Sequence, residues 1–163
     1  MMASKEDVEL LIEKGKYKNA IFLAEELNDK EFLTLTKARV ALLKGNAVET
    51  LKIINSSPIR ESDEMKRLLG YAYFNEDSFD LAYRSFLAVK EKTADDDFFL
   101  TLLATMHNDV ATAKEYLRSA FAKDRERVQK LMSYFYDILI APHPDFTANE
   151  KMKLSRLLKE QKI

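Results

Sequence analysis

Leu69-Gly70-Tyr71-Ala72-Tyr73-Phe74-Asn75-Glu76-Asp77-Ser78-Phe79-Asp80-Leu81-Ala82-Tyr83-Arg84-Ser85-Phe86-Leu87-Ala88-Val89 is the stretch on which the reading of this chain turns. With Leu68, the residues Leu69, Ala72 and Tyr73 recur at helical spacing, so one face of the first half is apolar. Asn75 to Ser78 is a polar break, and Phe79, Ala82, Tyr83 and Phe86 then form a second stripe. A glycine inside a helix costs roughly 1 kcal/mol against alanine, so Gly70 implies a neighbour crossing close above it. Ala82 lets the two helices approach while Phe79 and Phe86 fill the space on either side. The stretch predicts a helical hairpin with a short connection.

Moving outward, the plan repeats. Val8, Leu11 and Ile12 precede a break at Gly15-Lys16-Tyr17, and Ala20, Ile21, Leu23, Ala24 and Leu27 follow it. Leu35, Ala38, Ala41 and Leu42 precede Gly45-Asn46-Ala47, with Thr50, Leu51 and Ile54 beyond and a stop at Ser56-Ser57-Pro58. Thr93-Ala94-Asp95-Asp96-Asp97 reads as a helix N-terminus, where carboxylates suit the free amides and the dipole. Phe98, Leu102, Leu103 and Met106 come next, then a turn at Asn108-Asp109, then Val110, Ala113, Leu117 and Ala120. The residues after the four turns are Tyr17, Ala47, Phe79 and Val110; the close-packing positions of the second helices are Ala20, Thr50, Ala82 and Ala113. Both series step by 30, 32 and 31 residues (50 − 20, 82 − 50, 113 − 82), and self-similarity at such a period signals a helical solenoid.

On these residues the chain resembles the tetratricopeptide repeat family over about residues 5–122. Leu69, Gly70 and Tyr73 match the first-helix motif of that repeat, and Gly15 and Tyr17 match its turn. Ala82 and Phe86, then Ala113, Leu117 and Ala120, match its second helix. The units are shorter than the roughly 34 residues usual for the family, and Pro58 alone stands near a repeat end. The resemblance implies an all-α, right-handed superhelical α-solenoid of antiparallel helix pairs, at about 5–29, 31–57, 62–92 and 95–122. Residues 123–163 are then a helical pair that caps it.

That last part reads differently. Arg125 to Ile140 is a long helical pattern with Val128, Leu131, Met132, Phe135, Tyr136, Ile138 and Leu139, apolar around much of its circumference. Ala141-Pro142-His143-Pro144-Asp145 breaks it. Thr147 and Glu150 have capping-box spacing and open a final helix over 147–161 with Met152, Leu154, Leu157 and Leu158. Solenoid ends need covering, so this helix is expected to bury its stripe, led by Met152, Leu157 and Leu158. A second reading places it in the groove as a displaceable occupant.

Composition narrows the function. The chain has 163 residues, enough for one domain, with 3 Gly, 3 Pro, no Cys and a net charge of −1. Disulfide and thiolate–metal frameworks are excluded, and balanced charge argues against a nucleic-acid surface. The first residues have no apolar core of a signal peptide, and no run approaches the roughly 18 apolar residues of a membrane span. A soluble cytoplasmic protein is expected, and the sequon at Asn55-Ser56-Ser57 is read as chance. His107 and His143 belong to no ligand pattern, and Asp95-Asp96-Asp97 lacks the glycine and closing Glu of a calcium loop. Phosphate-loop and nucleophile-elbow motifs are missing too. No enzyme, cofactor or metal is expected.

In the family, first helices line the concave surface. The resemblance places Phe32, Leu35, Arg39 and Leu43 there, followed by Arg67, Tyr71, Phe74 and Asn75, then Phe98, Leu102 and Met106. The expected partner-binding set is Arg39, Leu43, Arg67, Tyr71, Phe74 and Asn75, an apolar groove with two arginines suited to a peptide bearing a carboxylate. The family's carboxylate clamp has Lys5 here, but Glu9 and Thr36 stand where asparagines would be expected. The expected function is a non-catalytic protein–protein interaction scaffold. The alternative is a self-assembling structural protein, such as a homodimer paired through Tyr134 and Phe135.

Overall fold

The computed structural model describes residues 3–58, 61–144 and 146–160, and leaves out the side chains at 138, 139, 154 and 156–160. Among the described residues there are ten α-helices and no strand. They are α1 (Lys5–Glu13), α2 (Tyr17–Glu26), α3 (Lys30–Leu43), α4 (Ala47–Asn55), α5 (Asp63–Asn75), α6 (Phe79–Leu87), α7 (Ala94–Met106), α8 (Val110–Lys123), α9 (Arg125–Phe135) and α10 (Ala148–Glu160). A π-helical turn, Tyr136–Ile140, follows α9. The first eight helices pack as adjacent pairs, α1 on α2 through α7 on α8.

One device closes all four pairs. Gly15, Gly45, Asp77 and Asn108 each stand just past the end of a first helix with a left-handed backbone, at φ of 74°, 83°, 60° and 59°. The next residue's N–H reaches back to a carbonyl five residues earlier at 2.9 Å in every case: Lys16 to Leu11, Asn46 to Ala41, Ser78 to Tyr73, Asp109 to Ala104. The left-handed residue itself donates to Ile12, Leu42, Phe74 or Thr105 at 3.0–3.1 Å. These two bonds are the Schellman motif, which satisfies the last carbonyls of the helix. The residue that closes the motif is also the N-cap of the next helix, and the Asn46 and Asp109 side chains accept from Glu49 and Thr112. Three residues thus suffice to reverse the chain. Tyr17, Ala47, Phe79 and Val110 begin the second helices, as their register predicts.

The packing contacts follow from the small residues. Ala20, Thr50, Ala82 and Ala113 have no exposed surface. Thr50 is the polar member, and its hydroxyl donates to the Ala38 carbonyl at 3.0 Å across the pair, so no buried donor is left over. In the central hairpin the Phe86 ring lies on Gly70.

The chain divides into two compact units, Met1–Ala88 and Val89–Ile163. In the first, Val8, Ile12, Ala20, Ala24 and Val40 make one apolar cluster, and Ala38, Ile54, Met65 and Leu68 another. α3 contributes to both, Val40 to one and Ala38 to the other. The second unit is built around Ala94, Phe98, Leu102, Val110, Leu117, Val128, Met132, Ile140 and Phe146. The fourth hairpin thus shares its core with α9 and with Phe146.

One expectation is corrected in this unit. Arg125 to Ile140 is not one α-helix: its last turn widens to the π form at Tyr136. α7 is buried on nearly every side, since α8, α9 and the π turn all pack on it. Its threonines stay satisfied by bonding back one turn, Thr101 to the Asp97 carbonyl at 2.9 Å and Thr105 to Thr101 at 2.8 Å. Thr93 and Asp96 form a reciprocal capping box at the start of α7, which is the role expected of that acidic run. Asp97 instead turns inward, accepting from Ser119 Oγ at 2.8 Å and pairing with Lys123 Nζ at 2.7 Å.

α10 has the expected start. Thr147 N–H donates to Glu150 Oε1, and Glu150 N–H donates to Thr147 Oγ1, both at 3.1 Å. The helix packs on α9, and the Tyr136 hydroxyl donates to the Lys151 carbonyl at 3.0 Å. Met152 is 52% exposed, so it does not serve as the buried anchor expected of it. The side chains of Leu154, Leu157 and Leu158, like those of Ile138 and Leu139 and all of Asp145, lie outside the described residues.

Candidate functional site

In the first unit, α3 and α5 lie side by side. They carry all six residues of the expected partner-binding set. Leu43, near the end of α3, is 54% exposed, and Asn75 at the end of α5 is exposed too. Arg67, Tyr71 and Phe74 are half-buried. Tyr71 meets Phe86 edge-on at 5.2 Å and Phe74 meets Phe79 at 5.4 Å, so both rings are positioned by α6. Aromatic pairs of this geometry hold their partners in place. Arg39 is engaged within the chain: Nη1 lies 2.6 Å from Glu9 Oε1 of α1.

The positions of the family's clamp are likewise occupied by internal contacts. Lys5 Nζ is 3.1 Å from Asp29 Oδ2 and 5.2 Å above the Phe32 ring. Thr36 is buried, with its hydroxyl on the Phe32 carbonyl at 2.8 Å. In the fourth hairpin Phe98 and Leu102 are 0% and 1% exposed, so they belong to the core of the second unit and not to a surface.

Sequence reasoning missed an acidic pocket. Beside the starts of α3 and α5, a cavity of about 320 Å³ is lined by Lys5, Asp29, Phe32, Leu35, Ser62 and Glu64 among others. Asp29 caps α3, and the Phe32 N–H, then the Lys5 ammonium, hold its carboxyl below its ordinary 3.8. Ser62 caps α5 through the Met65 N–H at 3.2 Å. Acidic first turns are what helix N-termini favour, so helices set side by side in parallel gather these acids at one end. That signal was available in Asp29, Glu31, Asp63 and Glu64.

The chemistry is that of a surface with acid at one end and guanidinium and amide groups farther along. Among the described residues no group of three or more His, Asp or Glu side chains is arranged to hold a metal ion. His107 Nδ1 lies 2.7 Å from the Leu103 carbonyl, one turn back on its own helix. No described helix is long and apolar enough to cross a membrane. Compared with known proteins, the chain finds no matching family model, curated protein or solved structure. The class defined by these features is an all-helical protein of consecutive helix pairs joined by one recurring turn.

Proposed function

We propose that the chain is a non-catalytic, tetratricopeptide-like scaffold whose hairpins continue as a right-handed superhelical solenoid. It binds a peptide or partner protein across α3 and α5. The observation that carries this reading is the identical Schellman turn at four positions spaced 30, 32 and 31 residues apart, each followed by a fully buried small residue. Such a repeat sets first helices in a row and so makes a continuous face. Arg67 and Asn75 offer donors, Leu43, Tyr71 and Phe74 offer apolar surface, and the acidic cavity takes a basic residue of the partner. Arg39 contributes once Glu9 yields it.

Selection from a displayed random-peptide library on the intact chain tests this. The expected consensus joins a basic residue, an apolar residue and an acid. Arg67→Glu with Asn75→Asp should lose the selected peptides, and Glu64→Lys should select against their basic residue. Peptides that bind both variants as they bind the parent would overturn the assignment.

A second reading, self-assembly, rests on exposed aromatic residues: Tyr134 is 74% and Phe22 62% exposed. Phe135 is not part of it, because its ring packs on Phe98 at 5.8 Å and Phe99 at 6.4 Å. Sedimentation velocity at high micromolar concentration decides between them; a strict monomer rejects self-assembly.

A further inference from the structure

A cavity in the second unit is not used by that reading. On α8, Lys114, Leu117, Arg118 and Phe121 recur at spacings of three and four and so share one face. Phe146, Glu150 and Lys153 line the same cavity from the start of α10, and its volume is about 410 Å³. That lies in the range of pockets that take small organic ligands. Its floor is apolar: Phe146 and Leu117 are buried and Phe121 is half-buried.

The charges around the floor are unevenly matched. Lys114 Nζ lies 2.8 Å from Glu150 Oε1 and 5.7 Å above the Phe146 ring, so its charge is already answered. Glu150 is further held by the Thr147 N–H. Arg118 and Lys153 are exposed, and neither makes a hydrogen bond or ion pair with the described residues. Two cations thus face an apolar floor without an answering anion among the described residues. Arginine supplies a planar fork that fits a carboxylate, and lysine a compact charge beside it.

We propose that this cavity binds a small amphipathic monocarboxylate, an alkyl or aryl body with one acid group. The body lies on Leu117, Phe121 and Phe146, and the acid meets Arg118 and Lys153. The Lys114–Glu150 pair is neutral as a unit, which leaves two cations, one of them a planar fork that a single carboxylate fills.

The test is a titration of the intact, nitrogen-15-labelled chain with decanoate and decyl phosphate, each below its micelle concentration, and with decanol below its solubility limit. Decanoate should give saturable shifts confined to residues around Leu117, Phe121 and Phe146. Decanol should bind at least tenfold more weakly. Arg118→Gln and Lys153→Gln should each weaken decanoate about fivefold or more while leaving the decanol shifts alone. Both side chains are exposed, so the fold should survive, as an unchanged far-ultraviolet spectrum would show. The proposal falls if decanol equals decanoate, if decyl phosphate binds more tightly than decanoate, or if the double variant binds like the parent.

Discussion

A methyl group placed on Gly70 would lie 2.6 Å from Cε2 of Phe86, a ring with no exposed surface. Gly70→Ala gains roughly 1 kcal/mol of helix propensity but overpacks a closed site, at a cost of about 1–3 kcal/mol. The balance is a net destabilisation of up to about 2 kcal/mol in urea unfolding. Phe86→Leu on top of it should recover part of the loss, giving a favourable coupling between the two sites. A Gly70→Ala chain as stable as the parent would show that the α5–α6 crossing is loose.

At Gly45 the limitation is the backbone alone, since no atom lies within 4 Å of where a Cβ would sit. Gly45→Ala should cost about 1–2 kcal/mol for holding alanine in the left-handed region. Gly45→Asn should cost less than half as much, because Asp77 and Asn108 already take the same conformation at the equivalent turns. Thermal melts of both variants check this; equal losses would reject it.

Asp97 and Lys123 are unequally buried, with side chains 3% and 40% exposed. Lys123→Met strands a carboxylate whose remaining partner is Ser119, whereas Asp97→Asn leaves an ammonium that can turn to water. Breaking a fully buried pair costs about 3–5 kcal/mol, and the exposure of Lys123 lowers that here. The Lys123→Met loss should exceed the Asp97→Asn loss. Denaturant titration of the two variants reads the order, and the reverse order would refute it.

The attachment of α10 should weaken at both ends of the pH scale. Lys114, then the Thr147 N–H, hold the Glu150 carboxyl below its ordinary 4.5. A lowered folded value means that this contribution is complete above about pH 4.5 and is lost as pH falls through the folded value. Burial, then Asp137, push the Tyr136 phenol above its ordinary 10.0. A raised folded value means a contribution complete below about pH 10.0 and lost as pH rises further. The Lys151 amide resonance should report both transitions. Tyr136→Phe should remove the alkaline one and Glu150→Gln the acid one; persistence of either in its variant would be contrary.

What was legible in the sequence was what local chemistry determines. The four turns could be placed because each is closed by residues within six of one another. The small residues Ala20, Thr50, Ala82 and Ala113 could be placed because they share one register. The expectations that failed concern distant parts of the chain. Phe98 and Leu102 look like surface residues of a fourth first helix until α9 returns over α7 and buries them. Phe135 looks available for pairing until Phe98 and Phe99 meet it. The Arg39–Glu9 pair was hidden as well, because the two residues lie 30 apart and nothing in either local pattern announces it. The π turn at Tyr136 was hidden because apolar spacing does not distinguish a widened turn from an ordinary one.

The three-residue reversal shared by the hairpins also bears on how fast the chain reaches its structure. Each first helix finds its partner after a gap of only three residues, so almost no loop-closure entropy is lost before apolar contact begins. Most early contacts join segments that are consecutive in the chain, which is the low-contact-order regime of microsecond-to-millisecond folding. The hairpins at Gly15, Gly45, Asp77 and Asn108 are thus four separate places where ordering can start, and an emerging polypeptide can begin to fold before its end has been made.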